Sequence, residues 1–458
     1  MFKQLHFYGG VHPDERKLTN EMPIKIPPLL EKYIVPLQQH IGAPAKPVVE
    51  KGAHVLKGDL LAEAGGFVSA RIHSPTSGTV SALTTCLGPA GTRLDAIEIT
   101  SDGEDTPCEP MPILDPANSS PADLKKRVQD AGIIGMGGAG FPTHVKLSPT
   151  KPVDVLILNG VECEPGLTSD HRLMLERPDD VLAGARAAAT ILGIKRIMLA
   201  IEANKPDAVK LMQEKSSRYG IEVHRLKVVY PQGAEKQLIY ALTGRKVPAG
   251  GLPMDIGCVV QNVGTAAAIG EAVTKGLSSY ERITTVTGKP LASPGNWRMK
   301  IGTTYARAIQ FAGGVTEDPA KIISGGPMMG MSVYSLDTPI LKNTSGILLL
   351  AESELYEYEA HPCIRCGRCN DNCPMAMMPG ILSVQIENQR FELAEEWHVT
   401  DCIECGCCSY GCPAHRPLVQ HMRRAKGEIL ARRKAQQAAA QKPSPAPAPA
   451  AAPTAPAK

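Results

Sequence analysis

The chain has 458 residues, 21% of them charged, and a formal net charge of +3. That length allows two or three domains, and the balance of charge points to neither nucleic acid nor an acidic partner. Aromatic residues are only 4%, which argues against recognition of single-stranded nucleic acid by base stacking.

The opening MFKQLHFYGGVHPDERK carries charges and glycines where a signal peptide has an apolar core. The longest apolar runs, VDVLIL and GILLLA, fall far short of the ~20 residues that span a bilayer, so a soluble or peripheral, cytoplasmic chain is expected. Over residues 48–83, short β-branched stretches broken by Gly, Ser and Pro predict a small β-sandwich or barrel. Its halves, VEKGAHVLKGD and ARIHSPTSGTV, resemble lipoyl and biotinyl carrier domains. No exposed lysine stands at a hairpin tip between them, so a structural adaptor is expected rather than covalent cofactor attachment.

From Asp123 the texture alternates. ADLKKRVQDAG reads as helix, VDVLIL as strand and residues 172–192 as one long helix. Strand RIMLAIE, helix KPDAVKLMQEKSSRYG and strand IEVHRLKVV follow, which predicts a layered α/β domain with a largely parallel sheet. Between the first helix and strand, GIIGMGGAGFPTHVK places Gly135, Gly137 and Gly140 in a G-x-G-x-x-G pattern. A helix precedes it and Pro142 follows, which fits an ordinary Rossmann turn badly, and no Gly-Lys-Ser/Thr follows for a Walker loop. A loop stripped of side chains lets backbone N–H groups approach a phosphate or flat ring; a packing loop between domains is the alternative. The next strand runs into NGVECEPGLTSDHR, putting Asn159, Glu162 and Glu164 at a carboxyl edge, where ligands of α/β sheets collect. A plain turn with solvated carboxylates is the other reading. After Gly276, RITTVTGKPLASPGNWRMKIGTTYARAIQFAGG resembles a soluble ligand-binding β-grasp module, two strands and a helix, with a scaffold role expected.

Nine of the thirteen cysteines fall in CIRCGRCNDNCP and CIECGCCSYGCP. In a reducing compartment, clustered cysteines favour metal or redox chemistry over disulfides. Both segments fit C-x2-C-x2-C-x3-C-P: Cys363, Cys366, Cys369, Cys373, then Cys402, Cys405, Cys408, Cys412. Two-residue gaps wrap three thiolates round one cubane while the fourth reaches the other cluster. Crossed ligation is therefore expected, with Cys363, Cys366, Cys369 and Cys412 on one [4Fe-4S] centre and Cys402, Cys405, Cys408 and Cys373 on the second. Structural zinc is the competing reading, although zinc sites usually pair two C-x2-C knuckles. Cys407 reads as a spare thiol, and Cys86, Cys108, Cys163 and Cys258 as buried packing residues. The intervening SVQIENQRFELAEEW reads as helical, as does HRPLVQHMRRAKGEILARRKAQQ, with Leu418, Met422 and Ile429 as apolar points. Arg423, Arg424, Lys426, Arg432, Arg433 and Lys434 there suit either an anionic lipid or acidic docking surface or a solvated face. The final KPSPAPAPAAAPTAPAK predicts a disordered tail.

GMGGAGFPTHVK, NGVECEPG, YPQGAEKQ and QNVGT together closely resemble the NADH-binding flavoprotein subunit of respiratory complex I, which holds FMN. With the carrier-like, β-grasp and two-cluster segments, the whole arrangement resembles the family of C subunits of Rnf electron transport complexes, up to about Ala425. The resemblance implies a multidomain α/β chain. An N-terminal domain over 1–115 holds the carrier-like β-sandwich, and a central layered α/β FMN/NADH domain covers 116–276. A β-grasp module covers 277–350, a helical two-[4Fe-4S] ferredoxin-like domain 351–425, and a basic helix with disordered tail 426–458.

It further implies that Gly135, Gly137, Gly138 and Gly140 lie against FMN and the dinucleotide and that Lys146 reaches the flavin site. Asn159 and Glu162 would bond the flavin, Asn262 and Thr265 its phosphate end. Phe141, Glu164 and Glu235 would contact NADH, with Tyr230 and Gly233 in the same wall. Met136, Val161, Ala234 and Lys236 depart from the complex I pattern, as does the region of Pro149, where a second stacking Phe is replaced. The implied activity is electron transfer along NAD(H), FMN and two clusters, in a complex coupling NADH and ferredoxin to Na+ or H+ translocation. No general acid or nucleophile is needed. Implied partners are the integral membrane and flavin-carrying subunits of that complex, NADH, and ferredoxin as ultimate redox partner. The implied place is peripheral, on the cytoplasmic side of the bacterial inner membrane. A non-enzymatic iron–sulfur carrier and a soluble NADH-dependent enzyme are the competing classes.

Overall fold

The structure is a computed structural model that describes residues 6–355 and 358–440. The expected disordered tail, residues 442–458, lies outside the described residues.

The carrier-like segment forms two facing antiparallel sheets. One orders the strands Lys32–Pro36, Arg93–Ser101, Gly78–Leu87 and His54–Val55; the other orders Lys46–Pro47, Leu60–Glu63 and Ile72–His73. Alternation along the strands turns Tyr33, Val35, Ile97 and Ile99 inward. The same core takes Val286, Trp297 and Ile347 from the β-grasp segment, so the two segments bury their apolar faces against each other. The β-grasp strands Glu281–Thr287 and Gly295–Lys300 pair antiparallel, and the helix Tyr305–Phe311 follows as expected. The short strand Ile24–Lys25 joins their sheet, parallel to Gly295–Lys300.

The central sheet is parallel throughout, in the order Ile221–Leu226, Arg196–Glu202, Val155–Gly160, Cys258–Asn262. Its middle strand, VLILNG, is covered on both faces, which explains an apolar run without alternation. The helix expected over 172–192 is two, Ser169–Glu176 and Pro178–Leu192. Proline at 178 has no N–H to continue the ladder and drives Arg177 out of helical geometry, to φ −136° and ψ 45°. Helix Pro178–Leu192 lies on helix Val263–Thr274 at backbone distance. A β-carbon on Gly184 would stand 1.8 Å from the Ala266 carbonyl oxygen, and one on Gly270 2.0 Å from that of Asp180.

In the cysteine-rich part, the segment 383–397 breaks at Gln389, whose φ is +57°, leaving helices Pro379–Glu387 and Phe391–Glu396. Leu418, Met422 and Ile429 of helix Leu418–Ala440 are all buried; Met422 and Ile429 share a small core with Leu382, Ile386 and Phe391. Five of the six basic side chains named above have partners within the domain, while Lys434 is exposed. Arg423 and Lys426 pair with Glu404, Arg432 with Glu392 and Arg433 with Glu395, while Arg424 lies over the Phe391 ring.

Candidate functional site

The glycine loop sits over the start of helix Val263–Thr274. The Met136 N–H donates to Thr265 Oγ1 at 2.8 Å, and the Asn262 side chain caps the helix by accepting from the Gly264 N–H at 2.8 Å. Gly137 stands so close to Asn262 that a β-carbon would come within 3.1 Å of it. Gly138, at φ +131°, needs glycine for its backbone and has open space over its α-carbon. Gly135 donates to the Phe141 carbonyl at 2.8 Å, and Gly140 accepts from Ile41 of the carrier-like domain at 3.2 Å. Phe141 itself is half-buried.

On the opposite wall, Asn159 Nδ2 donates to the Gly233 carbonyl at 2.8 Å, while its Oδ1 accepts from the Val161 N–H. A side chain at Gly233 would collide with the Val161 carbonyl, at 2.4 Å, so these two loops meet only through glycine. Lys146 pairs with Glu235 at 2.8 Å. The sequence-predicted residues therefore assemble as four couples: the glycine loop with Asn262 and Thr265, Asn159 with Gly233, Lys146 with Glu235, and Glu164 with Tyr230.

The two glutamates of the NGVECEPG loop point to different places. Glu162 accepts from Ser169 Oγ and from the Asp170 and His171 N–H groups, so it caps helix Ser169–Glu176. Glu164 accepts from the Met328 and Met329 N–H groups, at 3.1 and 2.8 Å, and from Tyr230 Oη at 3.4 Å. Burial pushes the Glu164 carboxyl above its ordinary range. Three further residues escaped the sequence reading. Asp170 bonds Asn262 Nδ2 at 2.6 Å, and burial, with the Glu162 charge beside it, pushes its carboxyl up to about 6. Arg282, buried on the β-grasp strand, donates to the Met136 carbonyl at 2.9 Å, and its Nε has no protein partner. Lys17 binds the backbone of the glutamate loop. Asp170 stood in the quoted NGVECEPGLTSDHR; for Arg282 and Lys17 no local pattern carried a signal.

The cysteines sort by tertiary position rather than by segment. Cys373, Cys402, Cys405 and Cys408 line one cavity, whose remaining wall is apolar and includes Met377, Leu382 and Met422. In that apolar setting burial pushes the Cys402 thiol up to about 11 and Cys408 up to about 12. Cys369 and Cys412 lie together on the neighbouring core, with Cys363 and Cys366 exposed. Cys407 is fully buried against Val11 and Tyr230. Of the cysteines expected as buried packing residues, Cys258 is buried, whereas Cys86, Cys108 and Cys163 are half-buried.

The loop site and the cysteine cavity meet at Tyr230. Its hydroxyl donates to the Cys405 carbonyl at 2.8 Å, and the same oxygen lies against Glu164. An N-terminal strap closes the seam. The Gly10 N–H donates to the Asn372 carbonyl, Val11 pairs with Tyr230 in both directions, and Gly9 has no room for a β-carbon beside the Cys373 backbone.

Four known families match consecutive stretches of the chain. They are the RnfC barrel sandwich hybrid domain over residues 5–104, the Nuo51 FMN-binding domain over 128–271, the SLBB domain over 283–332 and the 4Fe-4S dicluster domain over 355–413. The C subunit of the proton-translocating ferredoxin:NAD(+) oxidoreductase complex of Clostridium ljungdahlii is 48% identical, over 92% of this chain and 93% of its own. Its Na(+)-translocating counterpart in Acetobacterium woodii is 43% identical over 93% and 98%. The C subunit of the ion-translocating oxidoreductase complex of Rhodobacter capsulatus is 44% identical over 93% and 83%. Among solved structures, the NAD+-reducing [NiFe]-hydrogenase in its H2-reduced state shares the fold at a TM-score of 0.50 and 20% identity, over 72% of this chain and 68% of that one.

Proposed function

The chain belongs to the C-subunit family of ion-translocating ferredoxin:NAD(+) oxidoreductase complexes, and from that membership we propose the route electrons take through it. The glycine loop and the NGVECEPG loop would hold FMN and NADH between them, Cys373, Cys402, Cys405 and Cys408 would hold the iron–sulfur centre next to them, and Cys363, Cys366, Cys369 and Cys412 the centre beyond it. One observation carries this order: Tyr230 spans the seam, its hydroxyl bonded to the Cys405 carbonyl and lying against Glu164.

The residues fit both groups. Gly137 and Gly138 offer a cradle that β-carbons would obstruct or strain, and the first turn of helix Val263–Thr274 turns backbone N–H groups toward an anion. Arg282, with a buried Nε that no protein atom satisfies, adds a charged donor beside that turn. Four thiols lining one apolar cavity are the donor set of an iron–sulfur centre, whose charge would offset the burial that raises Cys373, Cys402 and Cys408. FMN, when bound, exchanges a hydride with NADH and single electrons with iron–sulfur centres. The protein supplies position. Asn159 locks the glutamate loop to Gly233, Phe141 offers an apolar wall for a base, and Lys146 with Glu235 adds a charged pair.

Among the described residues no helix is long and apolar enough to cross a membrane. We place the protein peripherally on the cytoplasmic side of the inner membrane, joined to membrane-embedded partners that move the ion, with ferredoxin as the ultimate redox partner. The exposed Cys363 and Cys366, with Ile364, Met378, Ile381 and Val384 exposed nearby in the same domain, support that end as the exit toward the next protein of the complex.

Anaerobically reconstituted chain tests the proposal. FMN released on denaturation, iron and sulfide matching two cubanes, and bleaching of the visible spectrum by NADH are expected. Iron without flavin or NADH response would leave only a carrier, and zinc in place of iron would overturn the redox assignment.

A further inference from the structure

The N-terminal strap reaches the flavin domain with a side chain that no pattern in that domain announces. Lys17 Nζ donates to three carbonyls of one loop, Glu162 and Glu164 at 2.8 Å each and Leu167 at 2.6 Å. The loop from Val161 to Leu167 contains no helix or strand, so these charge-assisted bonds are a principal restraint on its course. The strap is built to deliver this ammonium. Arg16, immediately before it, holds a left-handed φ of +46°, a conformation that a non-glycine residue keeps only when its surroundings impose it. On either side, the Glu15 carbonyl accepts from the Gly166 N–H at 2.8 Å, and Thr19 Oγ1 bonds Thr168 Oγ1 at 2.5 Å.

We infer that Lys17 is a positioning residue of the nicotinamide side of the site, gathering the carbonyls of Glu162, Glu164 and Leu167 on one cation so that Glu164 and its neighbours stand where the dinucleotide needs them. The inference rests on the reading of that loop as the NADH wall. Lys17 lies in the stretch matched by the N-terminal barrel family and outside the FMN-binding match, so the flavin domain borrows the cation from another part of the chain. The charged and titratable groups facing it are Glu162, Cys163 and Glu164 on the loop, Glu202 at the end of strand Arg196–Glu202, and Lys205 just beyond. Removal from water pushes the lysine below its ordinary pKa despite the carboxylates nearby.

The test uses the reconstituted holoprotein, with ferricyanide as acceptor, comparing Lys17→Met and Lys17→Arg with wild type. Lys17→Met is expected to keep its flavin and iron and to raise KM for NADH about tenfold, with kcat within about twofold, the split of an interaction made in ground and transition state alike. In wild type, kcat/KM for NADH should fall on the alkaline side as Lys17 loses its proton. That limb should vanish in Lys17→Arg, because a guanidinium stays charged. A wild-type KM in Lys17→Met, or an alkaline limb that survives in Lys17→Arg, overturns the inference. Should Lys17→Met fail to fold, the comparison of limbs between wild type and Lys17→Arg decides alone. Wild-type protein whose flavin is not bleached by NADH would instead sink the reading of the site itself.

Discussion

Gly184→Ala should loosen the flavin site from a distance. A β-carbon at 184 would lie 1.8 Å from the Ala266 carbonyl oxygen, and the neighbouring Ala266 carbonyl carbon and Gly270 nitrogen are each 2.7 Å away. All three are backbone atoms, so no rotamer change relieves the clash; helix Val263–Thr274 itself must retreat, by roughly 1.5 Å to restore van der Waals contact. Alanine gains about 1 kcal/mol of helix propensity over glycine, whereas overpacking of this kind costs about 1–3 kcal/mol, with backbone clashes at the upper end. The net expectation is a loss of about 2 kcal/mol. The helix that moves begins at Asn262 and Thr265, so their contacts with Gly137 and Met136 open, and losing one such hydrogen bond, worth about 1 kcal/mol, should weaken FMN binding about fivefold. Urea unfolding of the flavin-stripped chain, followed by circular dichroism, reads the first effect, and an FMN titration by fluorescence quenching reads the second. Gly193→Ala is the control: that glycine, at φ +67° with nothing near its α-carbon, should cost about 1 kcal/mol of backbone strain and leave FMN affinity alone. A Gly184→Ala protein as stable as wild type, with unchanged FMN affinity, would refute the close helix contact and the mechanical link to the site.

Cys373→Ser should abolish the sheltered centre, the one slow to bleach with chelator, and Cys412→Ser the readily bleached exposed one. The opposite assignment by electron paramagnetic resonance would disprove crossed ligation. Tyr230→Phe removes a hydroxyl whose bond is worth about 1 kcal/mol. At saturating NADH its flavin should still bleach, with reduction of the clusters slowed severalfold in stopped flow; unchanged cluster reduction would show that Tyr230 does not hold the seam. Asp170, raised from 3.8 to about 6, favours the fold in its protonated form, so its contribution is complete below pH ~4 and is lost as pH rises through about 6. That shift of roughly two pH units corresponds to ~3 kcal/mol at most. Asp170→Asn should therefore raise the unfolding midpoint of the flavin-free chain at pH 7.5 and leave it nearly unchanged at pH 4; an equal effect at both would show the carboxyl is not perturbed.

What the sequence determined by itself lies within short spans of chain. Two-residue gaps between cysteines set how three thiols can face one point, an unbroken VLIL run marks a strand covered on both sides, and glycines at 137 and 138 mark a backbone that something must approach. Its errors were local as well. Pro178 and Gln389 each end a helix that the apolar pattern alone would continue, because periodicity records which face is buried and not where a single N–H or φ breaks the ladder. The cysteine spacing already led to the expectation that Cys373 joins Cys402, Cys405 and Cys408, and the four line one cavity. Only the tertiary structure decided that Glu162 caps a helix while Glu164 meets the Met328 and Met329 amides. It alone brought Arg282 to the glycine loop and Lys17 to the glutamate loop. Lys17 is 145 positions from Glu162, and Arg282 is 146 from Met136. No local propensity spans such separations; they are set by which apolar faces bury each other, and the charged side chains are carried to their partners by that packing.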